Sequence, residues 1–159
     1  MRRGGKRPPR ISARLLVDGC NFLGRARGWS LGEASDRARL IRRLQDYRRA
    51  HPAQEVRLWF DGERGSRERI AGVEVLYVGP RSADESILDF VRGLERAARS
   101  QARLITDDRD LARRARQSGA RTSGVSWLAE RLVEPGDGSS EPQLGPGELQ
   151  EWLEYFGQE

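Results

Sequence analysis

The sequence predicts an α/β fold: a three-layer α/β/α sandwich around a mostly parallel central sheet, followed by a flexible acidic C-terminal tail. Three observations predict it. Short apolar runs of strand length alternate with longer stretches of helical periodicity, the pattern of parallel strands joined by helices. The first runs stop at steps such as Asp-Gly, Gly-Pro and Asp-Asp, the chemistry of tight turns. The chain has 159 residues, enough for one domain with a real core.

Residues 1–11 open with MRRGGKRPPR, five basic residues among Gly and Pro, and read as a disordered basic arm. The globular domain is expected over 12–133. Arg14–Val17 is a short apolar run ending in Asp18-Gly19 and reads as a buried strand. Ser30 and Glu33 have capping-box spacing and open a helix with Leu40, Ile41, Leu44 and Tyr47 on one face. Val56–Phe60 is a second strand ending in Asp61-Gly62, and Val73–Val78 a third ending in Gly79-Pro80. No convincing helix links these two strands. Ser82 and Glu85 repeat the capping-box spacing and start a helix along Ile87, Leu88, Val91 and Leu94. Arg103–Thr106 is a fourth strand ending in Asp107-Asp108; a helix over Leu111–Gln117 then stops at Gly119. A short strand at Ala120–Thr122 and a helix at Trp127–Leu132 complete the body. Residues 134–147 form a Pro/Gly/Ser linker. The tail, 148–159, is amphipathic and acidic, with Leu149, Trp152, Leu153 and Phe156 sharing a helical face.

Composition narrows the function. One cysteine, Cys20, and one histidine, His51, exclude a disulfide framework, a cysteine-based zinc site and a multi-histidine metal centre. No apolar run approaches the ~20 residues of a membrane span, so a cytoplasmic protein is expected. The net charge of +5 is an average: residues 1–129 carry +12 and residues 130–159 carry −7. All but one of the 29 basic residues are arginine, the side chain suited to bidentate phosphate contact. A basic body is the electrostatic footprint of a nucleic-acid binder, although arginine usage alone is equally compatible with coding bias and a solvated surface.

The carboxylates are placed with more information than the arginines. Asp18, Asp61 and Asp107-Asp108 each follow a predicted strand, and Asp84-Glu85 lie in the first turn of a helix that follows another. In an open parallel sheet the C-terminal strand ends converge on one edge, where ligands bind. Crowded carboxylates repel unless a cation neutralises them, and hard oxygen donors suit Mg²⁺ or Mn²⁺, one or two ions. Taken singly, each acid has a structural reading: a turn residue for Asp18 or Asp61, the capping-box partner for Glu85, a helix N-cap for Asp107 or Asp108. Their convergence is what favours a metal site that hydrolyses phosphodiesters.

Leu15-Leu16-Val17-Asp18-Gly19-Cys20-Asn21 resembles the opening hhVDGxN motif of NYN domains, particularly the YacP-like branch of the PIN-like nuclease fold. Phe60-Asp61-Gly62 matches its second-strand ending. Ser82-Ala83-Asp84-Glu85-Ser86-Ile87 is similar to its xADDxI helix start, with Glu85 replacing the second Asp. Ile105-Thr106-Asp107-Asp108-Arg109-Asp110-Leu111 resembles its hTSDxxL motif, and the closing segment matches at Gly119-Ala120 and over 123–128. The resemblance spans about residues 12–133. It implies a metal-dependent ribonuclease in which Asp18, Asp84 and Asp108 are catalytic and hold the metal. Asp61, Glu85 and Asp107 support them, and Asn21 orients a ligand or the scissile phosphate. Asp107 and Asp108 compete for one position; register selects Asp108.

Arg64, Arg67 and Arg69, in the loop expected at Glu63–Arg69, and Arg25 and Arg27, after the first motif, are candidates to grip RNA phosphates. Trp29 is either a base-stacking residue or packing, Trp59 core, His51 a helix end, and Cys20, with no histidine nearby in sequence, a poor nucleophile. The expected partner is RNA, including RNA on the ribosome. The 148–159 tail reads as a docking peptide for a protein partner or for its own domain, or as a helix capping the core. Two rivals to a ribonuclease stay open: an RNA- or ribosome-binding module with a vestigial acidic site, and a small-nucleotide phosphohydrolase. A haloacid-dehalogenase-type phosphatase is disfavoured because Asp18 lacks a second Asp two positions on.

Overall fold

The strand-forming runs assemble into one six-stranded sheet in a computed structural model, which describes residues 13–61, 66–78 and 82–132. The basic arm, the linker and the 148–159 tail lie outside the described residues. The elements are β1 (Ala13–Asp18), α1 (Gly19–Arg25), α2 (Ala34–Ala50), β2 (Gln54–Asp61), β3 (Ser66–Ile70), β4 (Val73–Val78), α3 (Ala83–Gly93), α4 (Arg96–Arg99), β5 (Ala102–Ile105), α5 (Arg109–Gln117), β6 (Arg121–Ser123) and α6 (Val125–Leu132). Strand order is β3-β4-β2-β1-β5-β6. All pairings are parallel except β3 with β4.

Alternation along the strands sorts the side chains into two cores. Leu15 and Val17 of β1 pack with Phe22, Leu40, Leu44 and Leu128 beneath α1, α2 and α6. Leu16, between them, packs with Ile87, Leu88, Val91, Leu111 and Ala115 beneath α3 and α5. The result is the expected three-layer sandwich. Each fully buried Leu or Ile contributes roughly 1.5–3 kcal/mol, so both faces of the sheet are firmly held. Trp59 is 1% exposed and donates its indole N–H to Ser86 Oγ at 2.9 Å, confirming its place in the core.

Four details differ from the sequence reading. The stretch expected as a loop at Glu63–Arg69 is in part strand β3, antiparallel to β4 through the two-residue turn Ala71-Gly72. Both turn residues have positive φ, 47° and 86°, the backbone of a tight hairpin. This hairpin, without a helix, carries the chain from β2 to the parallel strand β4. Ser30 does not cap α2: Glu33 occupies the N-cap, and Asp36 Oδ2 reaches back to accept from the Ser30 N–H. Helices α1 and α4 were not expected. By contrast, Ser82 caps α3 as its spacing predicts, its Oγ accepting from the Glu85 N–H at 3.3 Å.

Candidate functional site

The parallel register decides which acids meet. Asp18 pairs laterally with Trp59, and Asp61 with Val78, so β1, β2 and β4 end together. β5 ends beside them, with Val17 opposite Ile105. The sheet edge at their C-terminal ends therefore collects Asp18, Asp61, Asp107 and Asp108, with Asp84 entering from the first turn of α3.

Asp18 is the anchor. It is 5% exposed because β1 is central and both faces are covered. Its carboxylate accepts from Thr106 Oγ1 at 3.1 Å. Burial pushes its pKa up from 3.8 to about 6, against the lowering effect of Thr106 and Asn21 and with help from the charges of Asp84 and Asp61. Asp84 is also raised, by burial first and then by Asp108 and Asp61, while Arg114 opposes the shift. Four carboxylates thus feel one another across this edge.

The remaining acids are tied to the scaffold. Asp61 Oδ1 accepts from the Ala83 N–H at 3.0 Å, pinning the start of α3 to the end of β2. Asp107 Oδ1 accepts from the Val125 N–H at 3.0 Å and so holds the start of α6. The Asp107 N–H donates to Asn21 Oδ1 at 2.7 Å, which ties α1 to the β5 end. Asp108 caps α5, its Oδ1 accepting from the Leu111 N–H at 3.1 Å. Glu85 faces Arg114, whose guanidinium lies 3.3 Å from Glu85 and 3.8 Å from Asp110. Asp18 and Asp84 are the acids whose charge the fold leaves least compensated.

Thr106 joins the two halves of the site. Buried at 3% exposure, it donates to Asp18 and accepts from the Asp108 N–H at 3.1 Å. Sequence reasoning gave it no role, although its place before Asp107-Asp108 was the available signal. Two glycines are also required. A Cβ on Gly19 would sit 2.6 Å from both the Trp59 carbonyl oxygen and Phe60 Cε1, and one on Gly124 would sit 2.7 Å from Asp107 Oδ1. The glycine after Asp18 permits close approach of α1 to β2 rather than a turn.

Other candidate residues are placed differently. Arg25 and Arg27 are exposed at and beyond the end of α1. Arg67 and Arg69 sit on β3, where both face Glu74, at 3.2 and 3.4 Å; Arg64 is outside the described residues. Trp29 packs edge-on against Phe22 with Arg39 3.8 Å over its ring. His51 ends α2, stacked on Tyr47. Cys20 accepts from the Asp61 N–H at 3.4 Å and burial raises its pKa, the opposite of an activated thiol.

The donor set suits a hard divalent cation. Among the described residues no three His, Cys, Asp or Glu side chains form a ready-made cage. Mg²⁺, however, is commonly held by one or two carboxylates with waters and substrate phosphate completing its shell. The under-compensated pair Asp18 and Asp84 fits that open arrangement. No described helix is long and apolar enough to cross a membrane.

The profile of the YacP-like NYN domain matches residues 15–141. The chain belongs to the YacP-like NYN domain family. Among solved structures, Rae1 (YacP) from Bacillus subtilis is similar at 21% identity and TM-score 0.63, over 89% of this chain and 92% of that one. A Trp-to-Leu variant of the same protein is 24% identical with TM-score 0.63, over 75% and 74%. No curated protein sequence matches. The YacP-like NYN fold is of the PIN-like nuclease type.

Proposed function

We propose that this YacP-like NYN domain is a metal-dependent endoribonuclease acting on single-stranded RNA or loops. The carrying observation is the pair of acids, Asp18 and Asp84, at the C-terminal sheet edge, whose pKa values are raised by burial first and then by neighbouring carboxylates. Perturbed acids grouped at a ligand-binding edge mark a functional site. Family membership independently favours a nuclease and RNA as its partner.

In this reading Asp18 and Asp84 hold one or two Mg²⁺ or Mn²⁺ ions, with Asp108 contributing from the cap of α5. A bound cation supplies Lewis-acid polarisation of the phosphodiester and makes water a better nucleophile near neutral pH. The chain's own residues do the positioning. Thr106 orients the Asp18 carboxylate and, through the Asp108 N–H, fixes the β5–α5 corner. Asn21 and Asp107 lock α1 and α6 against that corner, while Arg114 limits the repulsion between Asp84 and its neighbours. Arginines hold the RNA backbone by charge and bidentate hydrogen bonding.

Purified chain incubated with single-stranded RNA and Mn²⁺ is expected to cleave internally, and EDTA to stop it. Asp18→Asn and Asp84→Asn are each expected to abolish cleavage and retain RNA binding. Cleavage that persists in EDTA or in both variants overturns the mechanism. Binding without any cleavage by the unaltered chain would instead favour an RNA- or ribosome-binding module.

A further inference from the structure

Two concavities among the described residues flank the same short edge strand. On the α5 side of β6 a cleft of about 660 Å³ runs from Thr106 and Asp107 past Thr122, walled by Arg109, Arg113 and Arg116. These three lie at helical spacing, on one face of α5, spanning about 10 Å. On the α6 side, at the opposite N-terminal end of the sheet where β1, β2 and β5 begin, a cleft of about 540 Å³ is lined by Arg14, Arg103, Arg121 and Arg131 around Trp127. The Arg103 and Arg131 guanidiniums lie 4.7 and 3.9 Å from the Trp127 ring centroid. Arg103 donates to Ser123 Oγ, and Arg116 to Thr122 Oγ1 at 2.8 Å, so both walls are tied to β6.

We infer that the β6 edge is the track along which single-stranded RNA leaves the carboxylate site. Three features favour this edge over the hairpin edge. The α5 cleft opens directly onto Thr106 and Asp107, at the end of the strand that carries the site. Seven arginines, 109, 113 and 116 in one cleft and 14, 103, 121 and 131 in the other, face three acids in the two clefts, Asp107, Asp110 and Glu130. Of those acids Asp107 is spent on α6, and Asp110 is paired with Arg113 and Arg114. At the hairpin edge, in contrast, Glu74 faces Arg57, Arg67 and Arg69 together. A polyanionic strand therefore meets excess positive charge along β6, beginning at Thr106 and Asp107, which adjoin Asp108 of the proposed site.

This inference rests on the ribonuclease reading for its substrate, but its test reads binding and is separable from cleavage. The probe is a 12-nucleotide single-stranded RNA, bound in EDTA to the full chain and to charge-removal variants. Arg109→Gln/Arg113→Gln is expected to raise Kd about tenfold near 0.1 M salt. Each arginine withdrawn from a phosphate should lower the slope of log K against log salt by about 0.7, so this pair lowers it by about 1.4. Arg121→Gln/Arg131→Gln tests the second wall and is expected to act in the same direction. Arg116 is left intact because it ties α5 to β6, and unchanged melting temperatures confirm folding. The exposed Arg96→Gln is the control, expected to leave Kd within twofold. Wild-type affinity in both β6-edge variants overturns the inference, as does a larger loss in Arg67→Gln/Arg69→Gln than in either. The first result is also what is expected if the edge serves the acidic C-terminal stretch instead. A chain that binds through β6 but does not cleave leaves the track standing and removes the enzyme.

Discussion

Asp18→Asn should make this protein more stable at neutral pH while removing its proposed activity. The carboxyl ionises at about 6 in the folded chain against an ordinary value of 3.8. That difference of roughly two units costs the folded state about 3 kcal/mol once both states are ionised. The sign follows from proton binding: between about pH 4 and pH 6 the folded chain keeps a proton that the unfolded chain gives up. Stability from this group is therefore full below pH 4 and is lost as pH rises through 6. Asn removes the charge yet keeps an oxygen to accept from Thr106. The exchange of this charge-assisted bond for a neutral one returns about 1 kcal/mol of the gain. The net is about 2 kcal/mol at pH 8, or about 6 °C in melting temperature for a chain of this size. Thermal melts of both proteins in EDTA from pH 4 to pH 8 check it. An Asp18→Asn chain that melts at or below wild type at pH 8 would refute the reasoning. So would a difference that fails to shrink toward pH 4. Mn²⁺ should reverse the order, stabilising wild type by about 2.7 kcal/mol at a hundred times its Kd and the variant far less.

Thr106→Val removes the donor to Asp18 and the acceptor for the Asp108 N–H; urea unfolding should show a loss of about 2 kcal/mol that grows from pH 4 to pH 8. Gly19→Ala forces a methyl against a backbone carbonyl that cannot move aside, and denaturation should show a loss of about 2 kcal/mol or more. Ala71→Asn relieves a left-handed backbone in the β3–β4 turn; a melt should show a gain of about 1 kcal/mol with RNA cleavage unchanged.

What could be read from the sequence was whatever burial writes into it. β1, β2, β4 and β5 were legible because their apolar runs end in turn chemistry, and α3 because Ser82 caps it. β3 was not, since Ser-Arg-Glu-Arg-Ile carries no apolar alternation: it is a charged edge strand, the composition that protects an exposed edge from further pairing. α1 buries only Gly19, Phe22 and Leu23, too little for a periodic signal. Ser30 misled because Asp36, not Ser30, supplies the hydrogen bond at that corner, and the spacing is the same either way. At the site, the strand-end rule placed Asp18, Asp61, Asp107 and Asp108 together. It could not separate acids that cap helices from acids left facing one another, since that depends on which backbone N–H each carboxylate reaches. The arginine strip at β6 escaped notice for a related reason: its members come from β5, α5, β6 and α6, and only topology brings them to one edge.

The central claim is that Asp18 and Asp84 share a divalent cation. Crystals soaked in Mn²⁺ and measured for anomalous scattering test it most directly. The account predicts a peak within bonding distance of both carboxylates that disappears in Asp18→Asn crystals. A peak bound elsewhere, or none at saturating Mn²⁺, contradicts it.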